Sequence, residues 1–113
     1  MERLFGTASQ TKVLVMLGLL ESSYRSELSR LTGVSPTAVS SLLDRLEEDG
    51  VVVSVTQGRN RRVSINPRYK ARAELVALLK TLGMRSPEIL EVASRARRRP
   101  RKKGTGLRTA DAE

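Results

Sequence analysis

The chain has 113 residues, enough for one compact domain, and it contains neither cysteine nor histidine. This composition excludes disulfides, thiolate metal sites and histidine general bases, so we expect no metal, no cofactor and no enzyme activity. Lysine and arginine number 21 against 12 acidic residues, for a net charge of +9, which favours a polyanionic partner over a small-molecule pocket.

The first predicted helix is apolar on nearly every side. Ser9 can cap it, and residues 13–20 are its most apolar part. That run is too short to span a bilayer, and the chain lacks the basic start and cleavage site of a signal peptide. We therefore expect a cytoplasmic protein without membrane contact. Because a surface helix has one polar face, this helix is expected to need cover on two faces.

Two further helices are predicted before the pattern changes. The segment 22–24 is expected to break the first helix, and a short helix is predicted over 25–31 with Gly33 as its stop. Ser35 and Pro36 then begin a longer helix as its cap and first-turn residue. The buried stripe of that helix is predicted to consist of Val39, Leu42, Leu43 and Leu46.

The pattern then becomes strand-like. Strands are predicted over 51–56 and 61–65, and a turn at 57–60 joins them. Two more helices are predicted over 71–82 and 86–94.

The order of helix, short helix, three-residue turn, helix and hairpin is typical of a winged helix-turn-helix. The predicted fold is α+β and mostly α, with a three-helix core, a two-stranded β wing and C-terminal helices. We expect the winged-helix domain, with its fourth helix, over 1–85 and a short C-terminal helix over 86–94. The segment 95–113 is predicted to be a disordered basic tail, because seven of the nine residues 95–103 are cations.

The helix that begins at Ser35 is the candidate recognition helix. Its outward residues are small and polar, so its backbone can approach base edges in a major groove. Asp44 is the exception, and it must either accept from a cytosine amino group or be held off by Arg45. The hairpin tip is short and cationic, which suits a wing on phosphates or in a minor groove. The candidate DNA-binding residues are Ser35, Thr37, Ser40, Ser41, Arg45, Arg59, Asn60, Arg61 and Arg62.

The stretch LSRLTGVSPTAVSSLLDRLEEDGVV, followed by GRNRRVSINP, resembles the winged-helix domains of MarR-like and ArsR-like regulators of bacteria and archaea. The resemblance covers roughly residues 8–80. It implies that the recognition helix contacts bases, that the wing contacts the DNA backbone, and that flanking helices form a homodimer. By position, it assigns Thr37, Ser40, Ser41 and Arg45 to the groove, and Arg59, Arg61 and Arg62 to the wing.

These features favour a sequence-specific DNA-binding transcription regulator with double-stranded DNA as its partner. We expect a homodimer through the first and fourth helices, because one helix in so small a core leaves apolar surface to cover. The sequence places no site for a small-molecule effector.

Two other functions remain open from the sequence. The start of the chain, residues 3–6, resembles winged-helix domains attached to small nucleotidyltransferases, so the chain could be an interaction module that partners such an enzyme or another one. It could also bind RNA or coat the nucleoid without sequence preference, mainly through the basic tail. The regulator is favoured because a protein-docking helix would expose larger hydrophobic residues than the candidate recognition helix does.

Overall fold

The computed structural model describes residues 1–98, so most of the predicted basic tail lies outside the described residues. The described part is a mostly helical α+β fold, and it confirms the predicted winged helix-turn-helix architecture. Its elements are α1 (Ala8–Leu20), β1 (Ser22–Tyr24), α2 (Arg25–Thr32), α3 (Pro36–Glu48), β2 (Val52–Gln57), β3 (Asn60–Ile65), α4 (Arg72–Met84) and α5 (Pro87–Arg98).

Helix α1 begins with a reciprocal pair of hydrogen bonds at Thr7. The Thr7 hydroxyl accepts from the Gln10 backbone N–H at 3.0 Å, and the Gln10 side chain accepts from the Thr7 N–H at 3.2 Å. This capping box satisfies two backbone donors that the helix itself leaves unpaired. The predicted cap, Ser9, was wrong, since Ser9 lies inside the helix.

Helix α1 is the centre of the hydrophobic core. Every residue from 13 to 19 is buried. Helices α2, α4 and α5 pack around α1, and strands β1 and β3 contact it as well. The expectation that α1 needs a second chain for cover is therefore wrong, because the elements of one chain enclose it.

The contact between α1 and α4 is close because glycine occupies each side of it. A Cβ atom on Gly18 would lie 2.6 Å from Leu79 Cβ, and one on Gly83 would lie 2.7 Å from Leu19 Cδ1. Real Cβ atoms do not approach so closely, so each glycine lets a leucine of the other helix pack against its backbone.

The sheet has three strands rather than the predicted two. Its order is β1-β3-β2, and both pairings are antiparallel, with Arg62 of β3 opposite both Tyr24 and Val55. Segment 22–24 was predicted only to break α1. A strand of three residues carries too little alternation to be recognised, and its partner lies about 40 residues away in the sequence.

The turn between α2 and α3 sets the position of α3, the candidate recognition helix, on the core. Gly33 ends α2 with a φ of 77°, a conformation that glycine adopts without steric cost. The predicted stripe of α3 faces inward, with Val39, Leu42 and Leu43 buried and Leu46 partly buried. Packing of this stripe leaves the opposite side of α3 in solvent.

Helix α5 continues to Arg98, beyond its predicted end at Ser94. Ile89 and Ala93 are buried, and Arg97 Nη1 donates to the Leu19 backbone carbonyl at 3.2 Å. A carbonyl in the last turn of α1 has no intrahelical partner, so the Arg97 side chain supplies one. The first residues of the predicted disordered tail are therefore helical. Within the described residues, no helix is long and apolar enough to cross a membrane.

Replacing Gly18 with alanine is expected to lower the free energy of unfolding by about 1–3 kcal/mol, the usual cost of overpacking a core. The added methyl group would meet Leu79 Cβ, which cannot move without its backbone. Gly83→Ala tests the other side of the contact and should destabilise the fold less, since its methyl group would meet the outer side-chain atoms of Leu19 rather than a Cβ atom. Both variants replace a helical glycine with alanine and so gain the same helix propensity. The difference between their urea unfolding midpoints therefore reports the difference between the two steric clashes. Equal midpoints for Gly18→Ala and the wild type would contradict this packing.

Candidate nucleic-acid interface

The outward face of α3 consists of small polar side chains and one arginine. Thr37, Ser41 and Arg45 are exposed, and Ser40 is partly buried. Among the described residues, none makes a hydrogen bond or an ion pair with the side chain of Thr37, Ser41 or Arg45. A hydroxyl can donate to or accept from a phosphate or base, and an arginine can bond two acceptors of one guanine. This face is therefore suited to the edges of base pairs.

The Ser35 side chain already has a structural partner. Its hydroxyl oxygen accepts from the Ala38 backbone N–H at 3.2 Å and so caps the N-terminus of α3. Pro36 follows in the first turn, where its missing N–H costs nothing. Ser35 can still donate its own hydroxyl proton to an external acceptor, such as a phosphate oxygen.

Asp44 on α3 is paired with Arg25, the first residue of α2. Arg25 Nη2 lies 2.8 Å from Asp44 Oδ1, so this carboxylate is paired with Arg25, a partner that neither predicted alternative for Asp44 included. Sequence reasoning missed Arg25 altogether. The two residues lie in different helices, and no local pattern relates them.

The wing tip carries Arg59 and Asn60, both of which are exposed. Gly58 gives the turn its φ of 63°. In the described part of the chain, no partner bonds the Arg59 side chain. Its guanidinium is thus available to an external anion.

The two remaining wing arginines are bonded within the protein. Arg61 Nη2 lies 3.5 Å from Glu47 Oε2 on α3. The Arg62 guanidinium lies 5.1 Å from the centre of the Tyr24 ring and donates to the Ser22 hydroxyl, and its Nε donates to the Gln57 side chain at 3.3 Å. Of the three predicted wing arginines, Arg59 alone has no bonded partner among residues 1–98.

Glu47 joins three elements near the C-terminal end of α3. It receives Arg61 from β3, the Ser54 hydroxyl of β2 at 3.3 Å, and Arg25 Nη2 of α2 at 3.7 Å. Its side chain is 34% exposed, so these contacts are only partly screened by water. These bonds hold the wing next to the recognition helix. We refer to Arg25, Asp44, Glu47 and Arg61 together as the charged seam.

The described residues contain no group of three or more acidic side chains that could hold a metal ion. The surface described above presents hydroxyl groups and guanidinium groups. Such groups recognise phosphates and base edges.

Comparison with known proteins identifies the family. Residues 7–63 match the family model described as MarR family, and they extend from the cap of α1 into β3. This match covers half of the chain. No curated protein sequence matches the chain significantly.

Solved structures share the fold. A mutant of MarR from E. coli superposes with a TM-score of 0.56 and 23% identity, covering 81% of this chain and 67% of that chain. A mutant of MarR from E. coli complexed with operator DNA gives a TM-score of 0.54 and 22% identity, covering 82% of this chain and 65% of that chain. YusO from Bacillus subtilis gives a TM-score of 0.52 and 24% identity, covering 80% of this chain and 72% of that chain.

This chain thus spans about two thirds of the length of the MarR structures. The match over residues 7–63 includes the helix-turn-helix and most of the wing. The chain belongs to the MarR family of DNA-binding, winged-helix transcription regulators, which are not enzymes.

Proposed function

We propose that the protein is a sequence-specific, homodimeric DNA-binding regulator that inserts α3 into the major groove. The observation that carries this proposal is the composition of the outward face of α3. That face presents hydroxyl groups and an unpaired Arg45, and it exposes no large apolar side chain among the residues described. A surface that docks another protein would expose apolar anchors instead.

Membership of the MarR family and the operator-bound MarR neighbour support DNA as the partner. Within this proposal, Thr37, Ser40, Ser41 and Arg45 contact base edges. Ser35, Arg59 and Asn60 contact the DNA backbone or the minor groove. Arg61 and Arg62 follow Asn60 in β3 and lie next to this contact. Residues 99–113 lie outside the described structure, and their cations are expected to add phosphate contacts that carry no sequence information. A cytoplasmic location is part of the same proposal, as is a likeness to ArsR-like regulators.

The proposed dimer interface now depends on α4 rather than α1. The apolar face of α1 is fully enclosed within the chain, whereas Leu78 and Met84 of α4 are 39% and 65% exposed. In such a dimer, the two recognition helices would read half-sites about 34 Å apart on one face of a duplex.

Arg45→Ala is expected to weaken binding to the preferred duplex by about 1–3 kcal/mol, the value of one good base contact. Binding to a random duplex should change far less, and the fold should be unaffected because Arg45 has no partner within the described residues. Fluorescence anisotropy on both duplexes measures the two affinities. Equal losses on the two duplexes would contradict the assignment of α3 to base recognition.

The two kinds of wing arginine should behave differently. Arg59→Ala is expected to reduce the slope of log affinity against log salt by about 0.9, the value for one lost phosphate contact on duplex DNA. Arg62→Ala should reduce that slope less, because the Arg62 guanidinium is already bonded to Ser22 and Gln57. Titrations at several salt concentrations compare the two variants, which lose the same charge. An unchanged slope for Arg59→Ala would remove the wing tip from the interface.

A further inference from the structure

Arg25 contacts three residues that lie on one side of α3, on successive turns of the helix. Its Nη1 donates to the backbone carbonyl of Ser40 at 3.3 Å. Its Nη2 lies 2.8 Å from Asp44 Oδ1 and 3.7 Å from Glu47 Oε1. These positions lie about one turn apart, so a single guanidinium contacts residues spread over roughly 10 Å of the α3 axis, at 1.5 Å per residue.

The contribution of these contacts to stability cannot by itself explain their arrangement. Asp44 is 68% exposed, and ion pairs in such surroundings contribute little to the free energy of unfolding. The core of α3 is held by Val39, Leu42 and Leu43, which are buried without help from Arg25. Arg25 adds directional contacts to this apolar packing, because it links α2 to a backbone carbonyl and two carboxylates of α3.

The position of Arg25 matters because its contacts lie among the residues proposed to contact DNA. Ser40 carries the bonded carbonyl, and Arg45 follows directly after the bonded Asp44. A carboxylate at this place would otherwise repel phosphates or attract Arg45 away from the groove. Arg25 pairs with Asp44, the one acidic residue between the proposed base contacts Ser41 and Arg45, and so neutralises its charge. Among the described residues, the Arg45 side chain then has no bonded partner.

We propose that Arg25 is a positioning residue of the DNA-reading surface, which fixes α3 on α2 so that Ser40, Ser41 and Arg45 meet the bases in one register. This inference deepens the proposed function and rests on it. The planar fork of arginine is required, because lysine keeps the charge but cannot bond the Ser40 carbonyl and Asp44 through separate nitrogens.

The test compares Arg25→Lys with Arg30→Lys. Arg30 lies on the same helix, is 63% exposed and contacts Glu27 rather than α3, so its replacement is a matched control. Arg25→Lys is expected to lower the ratio of affinities for the preferred and random duplexes about tenfold, as expected when one base contact is misplaced. Because net charge is unchanged, electrostatic attraction cannot account for a fall in this ratio. Arg30→Lys should keep the ratio of the wild type.

Hydrogen exchange of the DNA-free protein gives a second readout that does not depend on a preferred site. Amides of residues 40–47 should exchange several-fold faster in Arg25→Lys than in Arg30→Lys, while those of α1 stay unchanged. An unchanged affinity ratio together with unchanged exchange would overturn the role of Arg25. A wild-type protein that binds all duplexes equally would contradict the proposed function instead, and the exchange data would still decide whether Arg25 holds α3.

Discussion

The whole fold depends on the enclosure of α1, a helix with no polar face along residues 13–19. Such a helix is stable only when other elements cover every side of it. In this chain, α2, α4, α5 and the sheet provide that cover, and Gly18 and Gly83 let α4 approach closely. Because α1 forms the centre, α3 buries only one stripe of its own. The other side of α3 is free to carry polar residues that the core does not need.

Electrostatic pairing then selects which cations can act outside the protein. The chain carries +9 overall, yet its arginines near the interface are not equivalent. The charged seam binds Arg25 and Arg61 to Asp44 and Glu47, and Arg62 lies on Tyr24. Among the described residues, Arg45 and Arg59 have no such partners. The seam thus joins α3 to the wing.

Much of the fold could be predicted from the sequence because its signals are local. The stripe of α3, its cap at Ser35 and the hairpin all follow from spacing and from residue types within a few positions. Strand β1 could not be predicted, since it exists only through its pairing with β3. The cover of α1 could not be foreseen either, because it depends on how six other elements pack in space.

The sequence predicted which surface carries the exposed polar and cationic residues, but not which of those residues have partners within the protein. The exposed hydroxyls of α3 follow from the helical period, and the cationic wing tip is visible as a run of arginines. The roles of those arginines depend on partners distant in sequence, as Arg61 on Glu47 and Arg62 on Tyr24 demonstrate. Arg25 left no local signal at all. Which of the candidate arginines have partners within the protein is therefore a property of the tertiary structure.

The central claim is that α3 reads a DNA sequence and does so in a two-fold arrangement. Selection of bound duplexes from a random pool, with the full chain at near-physiological salt, tests it most directly. We expect enrichment of an inverted repeat whose half-sites lie about 34 Å apart, one turn of the double helix. A pool that stays random after repeated selection, although the protein binds it, would contradict the claim.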